Sequence, residues 1–277
     1  MKIGIATANT APFVTDAPTR EFVTAADEAG IESIWTVEHV IWPTEYVSTY
    51  PYHPSGKMPG THAAPIPDPL IWLAWVAGIT KQIRLGTGVL LLPQRNPLIL
   101  AKEVATLDAL SGGRFELGIG VGWLAEEYEA LGEDFSTRGR KADEMLEAMT
   151  ALWTEESASY AGELVSFDSV ATNPKPAQSP LPVVIGGKSR AAARRAARFG
   201  TGYFVGPGSL EELEALLAVV AEECAEVGRS LDDLEISAAW PGRVMEDPGR
   251  AVEELSKRGV DRLMVDAWRV GRSGLEP

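Results

Sequence analysis

Two short runs carry side chains suited to acid–base and anion chemistry. The first is Glu38-His39, directly after the apolar run SIWTV at 33 to 37. Histidine changes charge near neutral pH, so at the carboxyl end of a buried strand it can act as acid or base, or hydrogen-bond a cofactor ring. The alternative is a structural histidine held beneath the loop that follows. The second run is Gly186-Gly187-Lys188-Ser189, which joins the apolar PVVIG (182 to 186) to the helix RAAARRAARF, ended by Gly200. Two glycines let the backbone approach an anion, and a helix start offers unpaired N–H groups at the positive end of its dipole. Lys188, Ser189 and Arg190 add donors, so a phosphate fits. The alternative is an ordinary glycine turn with Ser189 as N-cap and the arginines in solvent.

Glycines mark two more places. Gly118, Gly120 and Gly122 alternate ahead of Trp123, leaving one strand face without side chains. Either a ligand or a tightly packed interior then approaches that backbone. Gly86-Thr87-Gly88-Val89 raises the same pair of readings, with a β-bulge as a third. Nucleotide-binding phosphate loops, dinucleotide fingerprints, His-Glu-x-x-His and Gly-x-Ser-x-Gly are all missing, which removes support for nucleotide hydrolysis, metalloproteolysis and α/β-hydrolase chemistry. No metal site is predicted.

The elements that must position these residues alternate from end to end. Strand-like runs at 2–6, 33–37, 83–92, 114–120, 182–186, 201–205, 234–239 and 262–266 are separated by helical patterns, and several lack polar alternation, as strands buried on both faces do. Asp68-Pro69, Asn96-Pro97 and Asp247-Pro248 each place a capping side chain before a first-turn proline. Ser209 with Glu212 forms a capping-box pattern, and a helix is predicted over about 137 to 153. The fold class is therefore α/β: one (β/α)8 TIM barrel spanning 1–277, with enlarged connections at 40–67 and 154–181 and a clipped last βα unit. Both long segments are expected at the active, carboxyl face. His53 and His62, in the first of them, read as surface or lid residues.

Composition sets outer bounds. With 277 residues, 45% of them hydrophobic, a sizeable core is available, and 25 Lys+Arg against 39 Asp+Glu give a net charge of −14. That balance argues against a general nucleic-acid or anionic-membrane surface, so any anion must be bound locally. The lone Cys224 fits a reducing compartment, and with no signal peptide or membrane span legible the chain reads as cytoplasmic.

The stretch LDALSGGRFELGIGVGW (107 to 123), with Glu38-His39, GTGVLLLPQRNP (86 to 97) and PVVIGGKS (182 to 189), resembles the bacterial luciferase-like flavin and deazaflavin oxidoreductases, most closely the F420-dependent branch. The resemblance implies a hydride-transferring barrel whose cofactor, F420 or alternatively FMN, lies at the carboxyl ends of the strands. It places the cofactor phosphate at Gly186, Gly187, Lys188 and Ser189 and sets Glu38 and His39 beside the ring, with His39 as the catalytic group. A non-proline cis peptide at Gly88-Val89 would back the ring, Gly120 and Gly122 would leave room for it, and Asn96 is a further contact. One residue departs from the sugar-phosphate dehydrogenases of that branch, which carry an acid directly after the glycine matching Gly122 where this chain has Trp123. An indole cannot take a proton there. Glu126 and Glu127 read as solvated helix residues, with a reach into the pocket as the alternative. Trp42, Tyr46, Tyr50 and Trp123, with Trp35 unless it packs in the core, suggest a mouth for an apolar or planar small-molecule substrate. Other readings are an FMN-dependent two-component monooxygenase served by a separate reductase, a non-catalytic flavin-binding barrel, and a phosphosugar barrel without a redox cofactor. Homodimers are common in the family.

Overall fold

A computed structural model describes residues 1–206, 208–240 and 244–267. In chain order the elements are β1 (Lys2–Ala6), α1 (Asp16–Glu28), β2 (Ser33–Thr36), α2 (Pro69–Ile79), β3 (Arg84–Thr87), β4 (Leu90–Leu91), α3 (Pro97–Leu110), β5 (Phe115–Gly120), α4 (Ala125–Ala130) and α5 (Arg138–Thr154). There follow β6 (Ala158–Ala161), β7 (Ser166–Val170), β8 (Val183–Gly186), α6 (Arg190–Phe199), β9 (Gly202–Val205), α7 (Leu210–Glu226), β10 (Glu235–Ala239), α8 (Pro248–Ser256) and β11 (Arg262–Asp266). The main sheet runs β3-β2-β1-β11-β10-β9-β8-β5-β4, and β3 also pairs with β5, which closes it into a parallel barrel. This is the TIM barrel read from the alternating pattern. The run at 83–92 is one barrel strand in two pieces. Gly86 pairs with Glu116 and Leu90 with Ile119, so a step of four residues faces a step of three, and the extra residue is the bulge.

The predicted caps form. Asp68 accepts from the amides of Leu70 and Ile71, Asn96 from those of Leu98 and Ile99, and Asp247 from that of Arg250. Ser209 and Glu212 make the reciprocal capping box. The segment 154–181 is not at the active face. It joins α5 to β8 and carries the antiparallel hairpin β6–β7. Its far end is tied to the amino ends of the strands: the Gln178 side chain donates to Asp108 and to the Phe115 carbonyl and accepts from Arg84. An α-to-β connection has to return to the barrel floor, and this one does so with an ornament on the way. The clipped last unit, beyond Ala267, lies outside the described residues.

Strand alternation sends Phe115, Leu117 and Ile119 outward into the core between sheet and helices, and turns Glu116, Gly118 and Gly120 inward. Inside, a separate cluster of Ala6, Trp35, Val184 and Met264 fills the barrel, with Phe204 packed on it. Trp35, 1% exposed, is thus a core residue rather than part of the mouth. Its indole occupies the space that side chains at Gly86 and Gly118 would need, and its Nε1 donates to Ser33. Below it, Arg262 is paired with Glu32, Glu116 and Glu235, while Lys2 pairs with Glu235. Burial works against the Arg262 charge, but the three carboxylates around it more than offset this and raise its pKa. The guanidinium fills the space among these three glutamates.

A Cβ at Gly118 would fall 1.7 Å from the Thr87 carbonyl oxygen, whereas one at Gly78 in α2 would meet nothing within 4 Å. Gly118→Ala is therefore expected to destabilise the barrel by about 2–3 kcal/mol or more, as overpacking against backbone does. Gly78→Ala should stabilise it by up to roughly 1 kcal/mol through helix propensity. Urea denaturation midpoints of the two variants test this directly, since equal shifts would contradict the interior packing.

Candidate active site

His39 follows β2 at the barrel mouth and is held from across the opening. Its Nδ1 lies 3.1 Å from Oε2 of Glu127 in α4, and the Glu127 side chain is only 1% exposed. The other carboxylate oxygen accepts the Ile41 amide at 3.3 Å. The expectation of solvated glutamates on α4 is thus corrected for Glu127. Leu124, Glu127 and Tyr128 share one face at i, i+3 and i+4, and the two apolar members are 2% and 1% exposed, so they carry the carboxylate inward with them. That spacing was the available signal for Glu127.

Glu126 is not free either. Its Oε1 accepts the amides of Val47 (2.6 Å) and Ser48 (3.0 Å), and the Ser48 hydroxyl accepts the Ala125 amide in return. Burial raises the Glu126 pKa, but the Ser48 hydroxyl and the converging backbone amides outweigh it and bring the group down to about 2. The first turn of α4 therefore staples the long 40–67 segment over the mouth. The ends of that segment are joined by Asn9, fully buried, whose side chain donates to the carbonyls of Val37 and Pro67 and accepts the Val37 amide. Nothing in the sequence around Asn9 announces this role.

The four predicted pocket aromatics converge with His39. Trp123 is their hub, with ring centroids 6.0 Å from His39, 5.6 Å from Tyr46 and 5.1 Å from Tyr50, all edge to face. Trp42 lies 5.8 Å from His39. The wall continues from Tyr50 to Tyr52 at 5.5 Å and from the Tyr52 ring to Lys188 Nζ at 5.6 Å. Lys188 makes no hydrogen bond or ion pair among the described residues, and it borders a cleft with Val205, Gly208, Ser209, Leu213 and Ala238. The turn beneath it is fixed: Gly187 has φ +134°, its carbonyl accepts the Tyr203 hydroxyl at 2.6 Å, and its amide donates to the Phe204 carbonyl. Ser189 caps α6 by accepting the Ala192 amide. Arg190 turns away to Glu223 on α7.

The remaining predicted residues brace the mouth. Glu38 is buried, pairs with Arg95 and accepts the Leu91 amide, while Arg95 also reaches Asp68 at 2.9 Å. Burial alone would weaken the Arg95 charge, but Glu38 and Asp68 reverse that effect and raise its pKa. The side-chain oxygen of Asn96 is committed to its helix cap. The Gly88-Val89 peptide bond is cis. The space above Gly120 and Gly186 is not left open: a Cβ there would meet Val89 side-chain carbons at 2.6 and 2.4 Å. At Gly122, with φ +68°, the neighbours are Tyr128 and Leu91. Interior packing therefore accounts for these glycines, and Gly88, Val89 and Phe204 form the floor of the mouth.

The Glu126 staple carries a pH signature. A carboxylate whose pKa is lowered on folding contributes stability above its unfolded pKa, near 4.5, and loses it as pH falls toward the folded value of about 2. Wild type is expected to melt above Glu126→Gln by a margin that is constant from pH 5 to 7 and closes between about pH 4.5 and 2. Thermal melts of the pair across that range provide the check, and a margin that grows on acidification would contradict the staple.

The chain matches the model of the luciferase-like monooxygenase family over residues 1–273. It is 32% identical over 239 residues to the F420-dependent glucose-6-phosphate dehydrogenase of Kineococcus radiotolerans, covering 84% of this chain and 66% of that protein. It is likewise 32% identical over 161 residues to the FMNH(2)-dependent dimethylsulfone monooxygenase of Pseudomonas putida, covering 57% of this chain and 44% of that protein. A solved monooxygenase from Streptomyces bottropensis superimposes with a TM-score of 0.68 at 27% identity, over 93% of this chain and 77% of that one. From the family match over almost its full length, the chain belongs to the luciferase-like monooxygenases.

Proposed function

We propose that this enzyme binds coenzyme F420 at the barrel mouth and exchanges a hydride between it and a small, planar, uncharged substrate. The observation that carries this reading is the continuous wall from His39 through Trp123, Tyr50 and Tyr52 to Lys188, which makes no ion pair among the described residues. One end suits a flat ring and the other an anion, as a phosphate-bearing ring cofactor requires. When bound, F420 supplies the hydride-accepting carbon, and the protein supplies orientation and electrostatics. Gly88, Val89 and Phe204 would support the ring, His39 would face it, and Lys188 with Ser189, at the start of α6 beyond the Gly186-Gly187 turn, would hold the phosphate. Lys188 offers local positive charge within a chain whose net charge is −14.

Substrate chemistry follows from what the mouth offers. Trp123 stands where an acid would serve a sugar phosphate, and Glu38, Glu126 and Glu127 are all engaged by donors. The aromatic wall suits an apolar, flat molecule. The choice of F420 over FMN is supported by the dehydrogenase alignment, which spans 84% of this chain against 57% for the FMNH(2)-dependent relative. The second reading is an FMN-dependent monooxygenase supplied by a separate reductase, favoured by the Streptomyces monooxygenase that aligns over 93% of the chain.

Fluorescence titration with F420 and FMN separates the two. Micromolar F420 binding is expected, weakened roughly 10-fold or more by Lys188→Ala, the worth of one charge-assisted contact. FMN binding without F420 binding, together with substrate-dependent oxygen uptake when reduced FMN is supplied, would replace this reading with the monooxygenase. His39→Ala is expected to bind F420 nearly normally but to lose turnover, and full turnover in that variant would favour a merely binding barrel.

A further inference from the structure

We infer that Glu127 is a positioning residue that locks His39 in the Nδ1–H tautomer and leaves Nε2 as a bare acceptor at the barrel mouth. The inference takes from the proposed function only that the mouth is where His39 works. Each oxygen of the Glu127 carboxylate has one partner. Oε1 receives the Ile41 amide at 3.3 Å, and Oε2 faces His39 Nδ1 at 3.1 Å. A backbone N–H can only donate, so Oε1 must accept. Oε2 belongs to the same group, which in its ionised form only accepts, and this places the hydrogen on Nδ1. The Glu127 side chain is almost fully buried and is carried by Leu124 and Tyr128 on either side, so it has little freedom to change partner.

The opposite nitrogen has different surroundings. Nε2 has no hydrogen-bond partner among the described residues and is not sealed from solvent, while Trp42 and Trp123 flank the ring. With Nδ1 donating, neutral His39 presents a lone pair from Nε2. It is then set to take a proton from a bound hydroxyl or to accept a hydrogen bond, and not to donate one. This gives the direction of proton movement at His39, which its place after β2 does not. The same geometry makes an inversion available. In Glu127→Gln the Ile41 amide still requires an acceptor and claims the amide oxygen, so the –NH2 group faces Nδ1. Nδ1 must then accept, and the hydrogen moves to Nε2.

The chain has three histidines, so imidazole nitrogen NMR of the cofactor-free protein at pH 8.5, assigned with His39→Gln, reads the tautomer directly. The expected result is Nδ1–H for His39 in wild type, a switch to Nε2–H in Glu127→Gln, and retention of Nδ1–H in Glu126→Gln. A wild-type His39 that is Nε2–H, mixed, or doubly protonated at that pH would overturn the inference, as would a Glu127→Gln spectrum with no switch. The wild-type spectrum suffices should the variant fail to fold. Titration of the same samples with F420 keeps the two ideas apart. The predicted tautomers without F420 binding would defeat the cofactor reading alone, and F420 binding to a protein with Nε2–H would defeat this one alone.

Discussion

A parallel barrel has to fill its own interior, and here one indole governs how that is done. Trp35 lies across the axis where β3 and β5 carry Gly86 and Gly118, and no larger residue fits at either position. Above it the bulge at Gly88-Val89 turns the Val89 side chain over Gly120 and Gly186. Below it Arg262 gathers three glutamates that would otherwise repel one another. Each layer sets the height of the next, so the floor of the mouth is the top of a stack. The glycines that look in sequence like space for a ligand are first of all space for the stack, and any ring above them rests on Val89 rather than on bare backbone.

The mouth is organised from the side by a short helix. α4 has six residues, too few to be stable alone, and it persists because Leu124 and Tyr128 are buried. Its two adjacent glutamates point to different parts of one segment, Glu126 to Val47 and Ser48 and Glu127 to Ile41 and His39. The helix thus couples the closure of the long loop to the orientation of the histidine. Asn9 joins the ends of that loop, so the 40–67 segment is held at its base and stapled at Val47 and Ser48, although it contains neither helix nor strand.

The strand and helix pattern was legible because each βα unit carries its own local signals: apolar runs without alternation, and Asp-Pro or Asn-Pro at the helix starts. The aromatic convergence was legible as well, since Trp42, Tyr46 and Tyr50 sit in one loop and Trp123 at the end of one strand. What was hidden depends on contacts made at long range. The face to which 154–181 returns is fixed by Gln178 meeting Asp108, seventy positions earlier, and by the direction of an α-to-β connection. The burial of Glu127 depends on a loop 86 and 88 positions away presenting a donor to each oxygen. A charged residue on a short helix is normally solvated, and only the partners of its neighbours reverse that expectation.

The placement of charge around the mouth has a consequence for proton traffic. Trp123 offers no proton acceptor, Glu127 is engaged by protein groups at both oxygens, and Glu126 is held by two loop amides through Oε1. Freeing either would undo a tie between α4 and the loop or the histidine. Acid–base duty in the proposed reaction therefore falls to His39, whose Nδ1 is engaged from behind by Glu127. Lys188, at the other end of the wall, is separated from it by the aromatic rings and is left to balance anionic charge. A site divided in this way would suit the proposed exchange, with hydride and proton handled by different partners.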